Sequence, residues 1–151
     1  VIRRKAPPLP LANQTTTLKD FEKILPNTDL LVVALSLTPA TTGIIDKNIL
    51  SLLPNTAYLI NVARGGHLVT NDLLSALENG TIQGAAIDVT DPEPLPDDHP
   101  LWKEPRCLIT PHTANTPEMG LNLLVPFVAE NVRRFINRQS LLASVDIELG
   151  Y

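Results

Sequence analysis

The chain has 151 residues, 44% hydrophobic and 19% charged, with a formal net charge of −4. That length suits one domain able to bury its own core, and the mild acidity argues against a nucleic-acid surface, which needs clustered Lys and Arg. No apolar run approaches the ~20 residues of a membrane helix, "VIRRKAPPLP" at the start has no signal-peptide core, and the single cysteine, Cys107, fits a reducing, cytoplasmic setting as a small buried hydrophobe.

Val1 and Ile2 read as the tail of a strand running into Arg3, Arg4 and Lys5, and the Pro-rich "APPLPLANQ" as a loop. "TLKDFEKIL" (17–25) has apolar residues at 18, 21, 24 and 25, which predicts a helix with Thr17 and Asp20 at its N-cap. Leu30 to Leu35 are continuously apolar, as expected of a strand buried on both faces. Asp46 is placed to cap a short helix, "KNILSLL", ended by Pro54-Asn55. "AYLINVA" (57–63) is a second buried strand, and "NDLLSALENG" (71–80) a helix closed by Asn79-Gly80. "GAAIDV" (84–89) and "CLIT" (107–110) complete the strands. Thr116 then caps a helix with Pro117 in its first turn, running to about Gln139 with Pro126 as a kink or break. Leu124, Val128, Val132, Phe135 and Ile136 repeat along it at helical spacing, a stripe suited to core packing or to another domain.

Short strands alternating with helices predict βαβ units: a doubly wound, Rossmann-type α/β fold with a parallel sheet and flanking helices. Ligands in such sheets bind beyond the carboxyl ends of the strands. The chemistry is therefore expected just after Leu35, Ala63, Val89 and Thr110.

The first end carries "SLTPATTG", small hydroxyl residues and a Pro-fixed turn that suit close approach to a ligand and equally suit an ordinary turn. The second carries "NVARGG". Arg64 before two glycines can present its planar fork to a carboxylate, or can be a surface arginine before a turn. The third carries Asp88 inside an apolar run, where a charge calls for a partner or ligand. Glu93 follows between two prolines, with few orientations open to it. Asp97, Asp98 and His99 read as a solvated loop, and His67 as a surface residue. The fourth end carries His112, which a carboxylate such as Glu93 would orient and equip as a proton donor near neutrality. An arginine for a carboxylate, a histidine for a proton and a glutamate to tune it suit interconversion of a 2-keto and a 2-hydroxy acid.

The run from "LSLTPATTG" through "NVARGG" and "DVTDPEPLP" to "LITPHTA" closely resembles the nucleotide-binding domain of the D-isomer-specific 2-hydroxyacid dehydrogenases, a family that includes phosphoglycerate dehydrogenase and glyoxylate/hydroxypyruvate reductase. The resemblance covers about residues 28 to 120 and implies a hydride-transferring oxidoreductase. It implies that Arg64 holds the substrate carboxylate, that His112 is the acid/base and that Glu93 is its partner. It places Asp88 at the nicotinamide carboxamide and Leu35, Ser36, Pro39, Val62 and Ala63 along the cofactor. No metal is implied. Glu93 argues against the formate-oxidising branch, where a glutamine stands in its place.

Two departures from the family pattern carry further expectations. No GxGxxG pyrophosphate loop occurs, so the chain reads as a partial NAD(P)-binding domain (1–151) lacking the first βα unit, a fragment of a longer two-domain protein and inactive by itself. Its C-terminal helix (117–139) would then pack toward the missing substrate domain. In place of the acid that meets the ribose 2′-hydroxyl stand Arg3 and Arg4, which favour NADP over NAD. The resemblance also implies a homodimer. The competing reading is a dinucleotide-sensing corepressor or scaffold on the same fold, and a third is an inactive remnant.

Overall fold

The computed structural model describes residue 2 and residues 10–148. Four strands, β1 (Leu30–Val33), β2 (Tyr58–Asn61), β3 (Gly84–Ile87) and β4 (Cys107–Ile109), pair side by side in chain order, every pair parallel. Parallel neighbours need crossovers. These run through α1 (Lys47–Ser51), α2 (Thr70–Glu78) and a 3-10 turn (Pro100–Lys103), while α3 (Pro117–Ile136) follows β4. Val33 lies opposite Asn61, Asn61 opposite Ile87, and Ile87 opposite Ile109. All four strands therefore end level, and the loops after them leave along one edge.

Local signals set the helices. The Asp46 carboxylate accepts from the amides of Asn48 and Ile49 at 3.0 and 2.9 Å and starts α1. Gly80, with φ +66°, closes the turn after α2, a conformation only glycine adopts without strain. The Thr116 hydroxyl accepts from the Met119 amide at 3.4 Å to begin α3. Pro126 leaves α3 unbroken, ending at Ile136. Asn122, whose carbonyl loses its i+4 donor, is exposed, so water can satisfy it. The helix expected at 17–25 is instead a 3-10 segment, Phe21–Asn27, that takes in Pro26, and Thr17 does not cap it. Asp20 at its start bonds the Lys23 ammonium at 2.6 Å rather than the backbone.

The core lies on one face of the sheet. Leu31, Val33, Leu59, Ala85 and Ile87 join Ile49, Leu50 and Leu53 around α1, and Leu73, Ala76 and Leu77 of α2. Leu50, Leu59, Leu73 and Leu77 are completely buried, each contributing about 1.5–3 kcal/mol. The strands are not buried on both faces as expected. Leu30 is 52% exposed, Tyr58 49% and Leu108 63%, because α1 and α2 cover the same face and α3 buries none of its residues. Of the strand tail expected at the N-terminus, Ile2 forms a parallel bridge to Thr16, while Arg3, Arg4 and Lys5 lie outside the described residues. Cys107 is partly buried, and burial pushes its thiol up to about 11. No helix among the described residues is long and apolar enough to cross a membrane.

Candidate active site

The loops after the strands are braced against one another. After β1, the Thr41 hydroxyl accepts from the Thr38 amide at 2.8 Å and donates to the Ser36 carbonyl at 2.9 Å, a turn closed by its own side chains. It brings Leu37 against Gly66, while the Gly43 amide donates to the Gly66 carbonyl at 2.8 Å. Gly65 presses on the loop after β3 so closely that a Cβ there would overlap the Thr90 carbonyl. The Thr70 hydroxyl bonds the Asp91 carbonyl at 2.8 Å across the same junction. Leu35 is half-buried and Ala63 buried, whereas Ser36, Pro39 and Val62 are exposed along this edge.

Asp88 organises the loop after β4. Its Oδ1 accepts from the Thr110 hydroxyl at 2.5 Å and the Thr113 amide at 2.8 Å, and its Oδ2 from the Ala114 amide at 2.8 Å. Burial works to raise this carboxyl. The hydrogen bonds from Thr110, Ala114 and Thr113, with His112 nearby, outweigh it and hold the group below the usual carboxylate range. Those bonds require the chain to reverse at His112, whose φ is +56°. Such a conformation costs a non-glycine residue about 1–3 kcal/mol, and the surrounding bonds must over-determine it.

The reversal points His112 at Glu93. Nδ1 lies 2.6 Å from Glu93 Oε1, both side chains being partly exposed. A carboxylate accepts only, so Nδ1 carries the hydrogen, the ring is oriented and Nε2 is left to face another molecule. Arg64 stands three residues beyond β2, exposed, with Nη1 donating to the Ala63 carbonyl at 2.6 Å and the rest of its fork available. Its carbonyl accepts from Asn61 Nδ2 at 3.1 Å, from His67 Nδ1 at 3.0 Å and, at 3.3 Å, from the His67 backbone amide.

His67 corrects the expectation of a surface residue, being completely buried. The two glycines before it let the 3-10 turn Gly65–His67 fold inward, where Leu68 bridges Ile45. Its Nε2 has no partner among the described residues, at a cost of about 1–3 kcal/mol. His99 also gains a role the sequence did not suggest, accepting from the Leu101 amide at 3.2 Å to start the turn at Pro100.

A cavity of about 250 Å³ opens beside this edge, with Ile60, Val62, Ala86 and Leu108 as apolar walls and Asp88 and Thr110 at its polar end. At that polar end Asp88 Oδ2 accepts one bond and has a lone pair to spare for a donor on a bound molecule.

The family model for the D-isomer specific 2-hydroxyacid dehydrogenase, NAD binding domain, matches residues 2–114. The chain belongs to this family. It is 42% identical over 129 residues to glyoxylate/hydroxypyruvate reductase A of Photorhabdus laumondii, covering 84% of this chain and 40% of that protein. The probable 2-hydroxyacid dehydrogenase of Rhizobium etli, solved with NADP, HEPES and tartaric acid, superposes with a TM-score of 0.87 at 33% identity, covering 99% of this chain and 48% of that one. The NADPH-dependent glyoxylate/hydroxypyruvate reductase of Sinorhizobium meliloti, solved with NADP and sulfate, gives 0.86 at 30% identity, covering 99% and 48%. The chain spans about half the length of the relatives it matches.

Within this family's nucleotide-binding domain the Rossmann-type parallel sheet is as expected. The structure brings Glu93 and His112 into contact and ties Asp88 to the His112 loop, with Arg64 on the neighbouring strand end. Asn61 and His67, which hold the Arg64 backbone, carry little signal in the sequence. Their one mark is a polar residue at each border of an apolar run, "LIN" and "HLV".

Proposed function

We propose that the whole protein is an NADP(H)-dependent 2-hydroxyacid dehydrogenase that reduces a small 2-keto acid of the glyoxylate or hydroxypyruvate kind. The observation that carries this reading is the 2.6 Å contact of His112 Nδ1 with Glu93, on a strand-end edge that also presents Arg64. Arg64 grips the substrate carboxylate bidentately. His112 Nε2 gives its proton to the C2 oxygen, and Glu93 stabilises the ring as its charge changes. A dinucleotide bound along this edge would supply the hydride. Asp88 and the backbone around Val62 and Ala63 would hold its nicotinamide end, and Leu35, Ser36 and Pro39 would border its ribose. The positive charge of Arg3 and Arg4 in the sequence would favour a 2′-phosphate, and the R. etli and S. meliloti structures hold NADP.

Residues 1–151 are the greater part of the nucleotide-binding domain of a longer, cytoplasmic, homodimeric two-domain protein. By itself this chain does not turn over substrate. The test is a 2-keto acid panel on the whole protein, with NADPH and NADH in parallel. Turnover of glyoxylate or hydroxypyruvate with NADPH preferred is the expected result. An NADH preference would remove the role of Arg3 and Arg4, and no turnover with either cofactor would leave the dinucleotide-sensing scaffold.

A further inference from the structure

Two completely buried polar side chains, Asn61 and His67, converge on one atom, the carbonyl oxygen of Arg64. A carbonyl only accepts, so His67 donates through Nδ1 and its Nε2 is the bare nitrogen, enclosed without a partner among the described residues. A leucine would fill this space with no orphaned atom. The imidazole gives up that packing and gains one directed contact, the bond to Arg64. Asn61 also accepts from the Ala63 amide at 3.1 Å, so it holds the chain on both sides of the arginine. On the far side of the 64–65 peptide, Gly65 lies hard against the Thr90 carbonyl.

That peptide is thus held by Asn61, by Thr90 and by His67 twice, through its ring at 3.0 Å and more weakly through its backbone amide at 3.3 Å, so a substitution at His67 removes only the ring's bond. Fixing its carbonyl fixes the extended backbone of Arg64, φ −145° and ψ 147°, and with it the direction in which the side chain leaves the strand end. The guanidinium itself has a competing partner, the Ala63 carbonyl. Its aim therefore depends on the backbone. We propose that His67 is a positioning residue that aims Arg64 at the carboxylate of an anionic substrate by clamping the Arg64 carbonyl. The inference rests on the function proposed above.

The test uses the whole protein and compares wild type, His67→Leu and His67→Asn, with NADPH and glyoxylate varied in turn and Tm measured for each. His67→Leu keeps the volume and removes the donor, and His67→Met replaces it should it not fold. His67→Asn is smaller but places an amide N–H near the position of Nδ1. The leucine variant should raise the glyoxylate KM about tenfold, the order of one lost hydrogen bond, with the NADPH KM unchanged. The asparagine variant should restore the glyoxylate KM although its Tm falls further. An unchanged glyoxylate KM in the leucine variant, a joint rise of both KM values, or failure of asparagine to rescue would overturn the clamp while leaving the proposed reaction standing. Absence of turnover in the wild type would instead remove the reaction and the clamp together.

Discussion

At His112 a strained backbone and the contact with Glu93 have the same cause. The residue sits at φ +56° because the two amides after it turn back to a single carboxylate, Asp88, and that reversal carries the imidazole to Glu93. Asp88→Asn puts an amide donor where one carboxylate oxygen now accepts from a backbone N–H, so the loop should loosen. Since the folded carboxyl lies below its unfolded value, its stabilisation is complete above about pH 4 and is lost as pH falls through the folded pKa. Urea titrations at successive pH values should show the variant weaker at neutrality and flatter with acidification. A variant as acid-sensitive as wild type would show that Asp88 is not the linked group. Asp88 was legible in the sequence as a charge needing a partner inside an apolar run. His67 was not, because "GGH" reads as an exposed turn until Leu68 is seen bridging Ile45 and drawing it inward.

Between elements, the decisive contact is the approach of the loop after β2 to the loop after β3. Gly65 permits it, and any Cβ would force the Thr90 carbonyl away. Gly65→Ala should cost about 3 kcal/mol, as overpacking does, and should weaken 2-keto acid binding through Arg64 more than it weakens NADPH binding. Chemical denaturation with parallel KM values checks both, and a variant of wild-type stability would contradict the close approach. Caps such as Asp46 and Thr116 could be read from sequence because their partners lie within three residues. The 3-10 segment Phe21–Asn27 could not, since the apolar spacing at its start is also that of an α-helix.

Across the molecule, the uncovered sheet face is the largest departure from expectation. A continuous apolar run such as Leu30 to Val33 reads the same whether one face or both are covered; only the placement of α1, α2 and α3 decides it. Expressed by itself, residues 1–151 should bind a hydrophobic dye and self-associate through this face, and Leu108→Lys should reduce both. Sedimentation of the two forms checks this, and a monomeric, dye-silent wild-type chain would contradict it. The proposed chemistry, however, turns on His112 and its proton. The most direct measurement is the steady-state kcat of the whole protein with NADPH and its best 2-keto acid, wild type against His112→Ala. General acid–base catalysis through the Glu93-oriented ring predicts a fall of about 10²–10⁴-fold, with the NADPH KM little changed. Equal turnover by the two proteins would contradict the account.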